Sequence, residues 1–164
     1  MDRLWTPWRM EYIQANKDAP AEGGCVFCAL LAGELTDQTP PLRIEEHAFV
    51  SLAKFPYNPG HLVVLPTRHV GELEELRAEE NAGVAALLQR CIRALRAVAD
   101  PHGFNVGLNL GRVAGAGIPE HLHWHVVPRW GGDTNFMPVV GETRVLPELL
   151  EQTHEKLRPH FEAD

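Results

Sequence analysis

The clearest periodic pattern in the chain lies between about residues 70 and 99, where apolar side chains recur at intervals of three and four positions. This spacing predicts one long amphipathic helix. Acidic residues near its start and arginines towards its end suit the helix dipole, and the turn-forming DPHG at residues 100–103 ends it. Cys91 falls on the apolar stripe, so we interpret it as a core residue.

Short apolar runs on both sides of this helix predict strands. Before the helix stand LRIEE, AFVSLA and HLVVLP, and after it stand FNVGLNL and HLHWHVVP. A second amphipathic stretch, LPELLEQTHEKL, predicts a C-terminal helix. This order of strands and helices predicts an α+β domain built on a mostly antiparallel sheet.

The chain divides into a central region and two flanks. Residues 1–24 lack periodicity and end in the turn-like APAEGG, so we interpret them as an N-terminal arm. Residues 25–130 hold the predicted strands and the long helix, and residues 131–164 form a C-terminal extension with a helix. With 164 residues and 45% hydrophobic content, the chain can build one domain with a substantial core, and two independent domains are not expected.

Charge and hydropathy narrow the range of partners. A formal charge of -7 argues against general affinity for nucleic acid, which usually needs a basic face. No apolar run is long enough to cross a bilayer, and the N-terminal MDRLWTPWRM lacks the apolar core of a signal peptide. We therefore expect a cytoplasmic protein that binds neither nucleic acid nor membranes.

Two cysteines, Cys25 and Cys28, have a spacing at which two thiolates can hold one zinc ion from a tight turn. A redox dithiol is the alternative, although no thioredoxin-like strand and helix precede the pair. Two further zinc ligands would have to come from the nine histidines, of which His69 and His121 are best placed, at the ends of predicted elements. We interpret four others as surface or turn residues: His47, His102, His154 and His160.

The segment HLHWHVV sets histidine at every second position, at His121, His123 and His125. On a strand these side chains leave one face at intervals of roughly 7 Å. They could converge on a catalytic zinc ion that keeps one position for water. Alternatively, a neutral imidazole flanked by hydrogen-bond donors could attack phosphorus, with Asn109 and the glycine-rich GRVAGAG nearby to hold phosphate oxygens. Both interpretations remain open from these residues alone.

The same HLHWHVV resembles the signature of the histidine-triad (HIT) family of nucleotide hydrolases and transferases. The segments CVFC, EEHAFVSL, PGHLVVLPTRH and FNVGLNLG fall in the order of that family, over roughly residues 25–130. The N-terminal LWTPWRMEYI, FPYNPGH and HLHWHVVPRWGGDTNFMPV are similar to the bacterial members that act as diadenosine tetraphosphate phosphorylases. The resemblance implies a HIT-like fold with a mostly antiparallel five-stranded sheet, one long helix and a C-terminal helix.

The resemblance also implies a role for each candidate residue. His123 would attack the α-phosphate of a dinucleoside polyphosphate, His125 would bond phosphate oxygens or the leaving group, and His61 would support the same network. Asn109 matches a phosphate-contacting position of the family. In the zinc-containing members a structural zinc is bound by residues that correspond here to Cys25, Cys28, His69 and His121.

The chain departs from the family's pattern in two places. Ala53 stands where the family usually carries Asp or Asn to hold the ribose, so we expect this contact from Lys54 or Asn58. GAGIPE replaces the frequent Gly-Gln-Ser run, and a more open loop of this kind could admit inorganic phosphate in place of water. The donors left in that loop are the backbone N–H groups of Gly115, Ala116 and Gly117.

The leading hypothesis is a nucleotidyl transferase that cleaves diadenosine tetraphosphate through His123, with phosphate as acceptor and ATP and ADP as products. A HIT hydrolase of dinucleoside polyphosphates or nucleoside phosphoramidates is the first alternative. A catalytic zinc hydrolase using the histidine row and a nucleotide-binding sensor without turnover are the others. Members of the family are commonly homodimers, so the resemblance implies a dimer joined through the long helix and a sheet edge.

Overall fold

A five-stranded antiparallel sheet with helices on both faces forms the body of the protein, in a computed structural model that describes residues 24–133 and 148–162. The strands are β1 (Arg43–Ile44), β2 (Ala48–Leu52), β3 (Leu62–Pro66), β4 (Gly103–Leu108) and β5 (Trp124–Arg129). The helices are α1 (Val26–Leu31), α2 (Ala78–Ala99), α3 (Leu150–Leu157) and α4 (Pro159–Glu162). Short 3-10 turns occur at Leu73–Glu75 and Arg112–Ala114. The predicted α+β class is confirmed, whereas the predicted N-terminal arm lies, apart from Gly24, outside the described residues.

The strand order is β1-β2-β3-β5-β4, and every neighbouring pair is antiparallel. This order places β3 and β5 side by side, with Val63 opposite His125. Because His61 directly precedes β3, the pairing brings His61 close to His125 across a separation of 64 residues. The sheet therefore joins the PGH segment and the histidine row that the sequence keeps apart.

Apolar side chains are buried on both faces of the sheet, as the alternation of strand residues requires. One face carries the larger cluster, in which Val50, Val64 and Trp124 pack with α2 and the C-terminal helices. The other face carries a smaller cluster in which Phe49 and Val63 pack against α1. Cys91 has no exposed surface and belongs to the first cluster, which confirms its interpretation as a core residue.

The long helix begins later than its apolar pattern predicts, at Ala78 rather than near residue 70. The backbone before it is extended, with ψ of 135° at Leu76 and 157° at Arg77. Glu80 in the first turn accepts a hydrogen bond from the backbone N–H of Arg77 at 2.9 Å. This contact satisfies one of the amides at the start of the helix and fixes its first residue, which a count of apolar positions does not register.

Two histidine-containing segments also differ from their predictions. The final central strand starts at Trp124, because the residues before it pair elsewhere: the N–H of Leu122 donates to the carbonyl of Val70 at 2.7 Å. His154, predicted to be exposed, is buried between α3 and the chain near Pro40, where its Nε2 donates to the Pro40 carbonyl at 3.1 Å. None of the helices in the described residues is long and apolar enough to span a bilayer.

Glu80 is a buried charged residue that joins α2 to the segment after β3. Its side chain is 4% exposed and accepts hydrogen bonds from Arg68 Nε at 2.7 Å and Arg68 Nη2 at 2.8 Å. The bonds from Arg68, opposed by burial and aided by the Arg77 amide, lower the pKa of Glu80 from 4.5 to about 2. The pair therefore stabilises the fold above pH 4.5, and that stabilisation is lost as the pH falls towards 2.

We expect Glu80→Gln to lower the free energy of unfolding at pH 7 by about 2 kcal/mol, between the effects of a surface ion pair and of a fully buried one. The difference from the parent protein should shrink between pH 4.5 and pH 2, because the parent then loses the same charge. Denaturant titrations at several pH values measure this. Glu79→Gln at the exposed neighbouring position is the control, with an effect below about 0.5 kcal/mol. A difference that stays constant over this pH range would contradict the role given to the Glu80 carboxylate.

Candidate active site and metal cluster

His61 and His125 form a hydrogen-bonded pair at the centre of the sheet. Nε2 of His61 lies 3.0 Å from Nδ1 of His125. The backbone N–H of Tyr57 donates to Nδ1 of His61 at 3.1 Å, so the proton of neutral His61 must sit on Nε2. His61 therefore donates to His125, and the proton of neutral His125 is left on its Nε2.

His123 has the opposite tautomer. Its Nδ1 lies 2.8 Å from the backbone carbonyl of His121, which can only accept, so Nδ1 carries the proton and Nε2 carries a lone pair. His123 is 7% exposed as a residue, and burial lowers its pKa below the usual value. The imidazole is therefore neutral near pH 7, and its ring lies 5.1 Å from that of His125. An unprotonated Nε2 of this kind is a nucleophile that needs no separate base.

Two aromatic rings flank these imidazoles. Tyr57 stacks on His61 with ring centroids 4.8 Å apart and an interplanar angle of 25°, and it lies 5.7 Å from His125. Phe27 packs against His123 at 5.2 Å. Neither contact was predicted, although both aromatics stand inside segments that the resemblance singled out, FPYNPGH and CVFC. Each ring restricts the rotation of a histidine that it touches.

The His121 side chain contacts the cysteines and not the His61–His125 pair. It has no exposed surface, and its Nε2 donates to the carbonyl of Pro66 at 2.9 Å. The lone pair on Nδ1 therefore points at the thiols, 3.4 Å from Cys25 Sγ and 3.7 Å from Cys28 Sγ. Burial lowers the pKa of His121, which keeps the imidazole neutral and able to bind a metal.

The predicted ligands come together in one cluster. His69 Nδ1 lies 3.4 Å from Cys28 Sγ, and all four candidate ligand atoms lie within 4.8 Å of one another. In a tetrahedral zinc site a sulfur and a nitrogen ligand are about 3.5 Å apart, so both the donor types and their spacing fit this ion. Burial and the neighbouring Cys25 thiol raise the pKa of Cys28 to about 11, so a bound cation would have to displace its proton. The cluster consists of Cys25, Cys28, His69 and His121.

Three predicted phosphate-binding residues lie beyond the end of β4. Asn109 Nδ2 donates to the carbonyl of Gly115 at 3.5 Å, which ties the strand end to the glycine-rich loop. Gly115 has φ of 100°, in the left-handed region that glycine adopts without strain, and Gly117 follows two residues later. The structure thus brings Asn109 and Gly115 together. The N–H groups of Gly115 and Ala116, however, donate to the carbonyls of Arg112 at 2.9 Å and Gly111 at 3.2 Å, so of the three predicted loop amides Gly117 remains a candidate phosphate donor.

The two residues predicted to replace the usual ribose contact lie in the loop between β2 and β3. Lys54 is exposed and forms an ion pair with Asp37 at 3.5 Å. Asn58 is half-buried, and its side-chain amide donates to the carbonyl of Pro128 and to Asp133. Ala53 packs with the apolar cluster beneath α1 and offers no polar atom in its side chain.

Comparison with known proteins agrees with this geometry. Residues 42–132 match the family model described as the HIT domain. A protein of Mycobacterium tuberculosis named AP-4-A phosphorylase is 46% identical over 165 residues, an alignment that covers 96% of this chain and 83% of the relative.

Two solved structures share the fold. A Zn-bound histidine triad family protein from Mycobacterium smegmatis superposes with a TM-score of 0.67 and 31% identity, covering 85% of this chain and 94% of the other. A hypothetical histidine triad nucleotide-binding protein from Sulfolobus tokodaii superposes with a TM-score of 0.69 and 26% identity, over 84% of this chain and 92% of the other. From its histidine row, its sheet and these relatives, the chain belongs to the HIT domain family.

Proposed function

We propose that the chain is a nucleotidyl transferase that cleaves diadenosine tetraphosphate through a nucleotidyl-His123 intermediate, and that inorganic phosphate resolves this intermediate. The observation that carries the proposal is the hydrogen bond from His123 Nδ1 to the His121 carbonyl, which leaves Nε2 as a lone pair. The choice of substrate is supported by the 46% identity to the mycobacterial AP-4-A phosphorylase.

In the first step Nε2 of His123 attacks the α-phosphorus of one adenosine. An N–P bond forms while the bond from that phosphorus to the bridging oxygen breaks, so ATP leaves and AMP stays on His123. His125, whose proton lies on Nε2, is the donor for the leaving oxygen or a phosphate oxygen, and His61 behind it holds that tautomer. Asn109 and the amide of Gly117 bind the remaining phosphate oxygens, since the Gly115 amide already donates to the Arg112 carbonyl at 2.9 Å.

In the second step an oxygen of inorganic phosphate attacks the same phosphorus. The N–P bond breaks, His123 recovers its lone pair, and ADP is released. Water in place of phosphate would release AMP, so the identity of the acceptor separates phosphorylase from hydrolase. In this scheme Lys54 and the side-chain oxygen of Asn58 are the candidates to contact a ribose hydroxyl, since the Asn58 amide group already donates to Pro128 and Asp133.

We further propose that the cysteine-histidine cluster binds zinc in a structural role. Four protein ligands would complete a tetrahedron and leave no position for a reacting water, unlike a catalytic zinc site. When bound, the ion would cross-link the start of α1, the segment after β3 and the segment before β5. His123 contributes no atom to this cluster, which weighs against a catalytic zinc ion at the histidine row.

Replacing the proposed nucleophile separates these hypotheses. His123→Asn should lower kcat on diadenosine tetraphosphate by at least about 10³-fold while zinc content stays at the parent level, because Asn cannot form the intermediate. Product analysis and metal analysis of the same preparation give both numbers. The matched control is His160→Asn, at an exposed histidine on α4, with kcat within twofold of the parent. Loss of zinc together with activity in His123→Asn would favour the catalytic zinc hydrolase.

An experiment with labelled inorganic phosphate identifies whether phosphate or water is the acceptor. With diadenosine tetraphosphate as substrate we expect the label in ADP and none in ATP, because phosphate attacks only the nucleotidyl group on His123. Separation of the products by chromatography measures this. If AMP and ATP form and ADP carries no label, the chain is a hydrolase and the phosphorylase assignment fails.

Removing one thiol tests the zinc proposal. Cys28→Ser should abolish stoichiometric zinc and lower the melting temperature by about 10 °C or more, because the cross-link between three segments is lost. Cys91→Ala also removes one thiol and should keep zinc, since Cys91 is buried away from the cluster. Stoichiometric zinc in Cys28→Ser, or its absence in the parent protein, would contradict the proposed site.

We also propose a homodimer in which the open edge of β4 pairs with its copy and α2 adds a second contact. In the part of the chain that the structure describes, β4 is an edge strand, and its central residues Asn105, Val106 and Gly107 are exposed. Val106 is 46% exposed, and an apolar side chain on an unpaired edge is a surface that a second strand can cover.

Val106→Lys should convert the dimer into a monomer, because a charge on the edge would be buried against its own copy. Light scattering should give twice 18.3 kDa for the parent and 18.3 kDa for the variant. Leu149→Lys, at an apolar residue that is 66% exposed and outside β4, should remain dimeric. A monomeric parent would end this proposal.

A further inference from the structure

A group of polar side chains connects β4, β5 and the loop before β3. Asp133 is its centre: it accepts from Arg129 Nε at 2.5 Å and Nη2 at 2.9 Å, and from Asn58 Nδ2 at 2.8 Å. The backbone N–H of Trp130 adds a further contact at 3.2 Å. Arg129 also donates to Asn105 on β4 at 2.6 Å. The Asp133 side chain is 11% exposed, so its carboxylate is largely shielded from water, whereas the Arg129 side chain is 42% exposed.

Only a carboxylate suits this position among the side chains of similar size. Asp133 receives donors from three different residues and needs no proton of its own. An asparagine there would keep one acceptor oxygen and would direct its NH₂ group at the donors of Asn58 or Arg129. The arrangement therefore depends on the charge and acceptor capacity of Asp133 and not only on its volume.

Asn58 connects Asp133 to the loop that holds His61. Its side-chain amide donates to Asp133 and, at 2.9 Å, to the Pro128 carbonyl on β5, and its own backbone carbonyl accepts from the N–H of His61 at 3.1 Å. The residue before it, Tyr57, donates the backbone N–H that fixes the proton of His61 on Nε2. If the loop moved away from β5, the Tyr57 N–H would no longer donate to Nδ1 of His61, and the imidazole proton of His61 could then occupy either ring nitrogen.

We propose that Asp133 is a positioning residue for the reaction at His123. Through Asn58 it holds the backbone N–H of Tyr57 on Nδ1 of His61. This contact makes His61 the donor and His125 the acceptor in the bond between them. The kinetic part of this inference rests on the proposed nucleotidyl transfer, whereas the part about the histidine tautomers stands without it.

The kinetic test compares Asp133→Asn, Asn58→Ala and the double variant on diadenosine tetraphosphate. We expect kcat to fall by about 10- to 100-fold in Asp133→Asn with KM changed by less than about threefold, because positioning and not substrate affinity is impaired. Since both residues act in one chain of contacts, the double variant should be no worse than the poorer single variant. If Asn58 also binds the ribose, KM should rise in Asn58→Ala and stay near the parent value in Asp133→Asn.

The control is Glu162→Gln, which removes a carboxylate from an exposed arginine pair on α4, Arg158–Glu162, and should leave kcat within twofold of the parent. Melting temperature and zinc content are recorded for every variant. A kcat for Asp133→Asn within twofold of the parent would overturn the proposal, and so would strictly multiplicative losses in the double variant. If Asp133→Asn does not fold, Asn58→Ala, which leaves the Arg129–Asp133 pair intact, carries the kcat part of the test, because its KM also reports any ribose contact.

A second readout does not depend on turnover. Imidazole ¹⁵N spectra should show His61 and His125 as single tautomers protonated on Nε2 in the parent protein, and a mixture of tautomers for His61 in Asp133→Asn and Asn58→Ala. The signals of His121 should stay unchanged. Unaltered His61 and His125 signals in both variants would refute the positioning role even in a protein with no activity on the tetraphosphate. Altered signals in such a protein would support the positioning role while the proposed function alone fails.

Discussion

Backbone groups that dictate where each imidazole carries its proton are the constraint on which the site depends. The carbonyl of His121 holds the proton of His123 on Nδ1, and the carbonyl of Pro66 holds that of His121 on Nε2. The backbone N–H of Tyr57 donates to Nδ1 of His61, which leaves the proton of His61 on Nε2. The three histidines of the row thereby differ in chemistry. The lone pair of His121 faces two thiols, the lone pair of His123 is on Nε2, and His125 has a proton on Nε2 that it can donate.

The sheet and its attachments keep those backbone groups in place. Antiparallel pairing of β3 with β5 sets His61 beside His125, and the bond from Leu122 to Val70 draws the start of the row out of the sheet towards His69. Gly71 allows this close approach, since a Cβ there would lie 2.9 Å from the Pro119 carbonyl. The metal cluster and the proposed nucleophile therefore belong to a single short segment, within which His123 Nδ1 donates to the His121 carbonyl.

Much of this architecture could be predicted from the sequence, because it follows from side-chain periodicity and from residues of distinctive chemistry. The α+β class and the core position of Cys91 came from alternation and helical spacing, and the cluster of two cysteines with His69 and His121 came from resemblance. The start of α2 was placed too early, because the contact between Glu80 and the Arg77 amide is invisible to an apolar count. His154 was predicted to be exposed, since nothing in its own helix indicates that the Pro40 carbonyl lies above it. The tautomers and the role proposed for Asp133 depend on distances between segments far apart in sequence, which no local pattern records.

The central claim is that the nucleotidyl group is transferred twice, first to His123 and then to the acceptor. The stereochemistry at the α-phosphorus tests it most directly, with a diadenosine tetraphosphate carrying sulfur at a chiral α-phosphate and the configuration determined in the nucleotide released with the acceptor. Each in-line displacement inverts the phosphorus, so a covalent His123 intermediate predicts overall retention of configuration. Overall inversion would mean a single direct attack by the acceptor and would contradict this account.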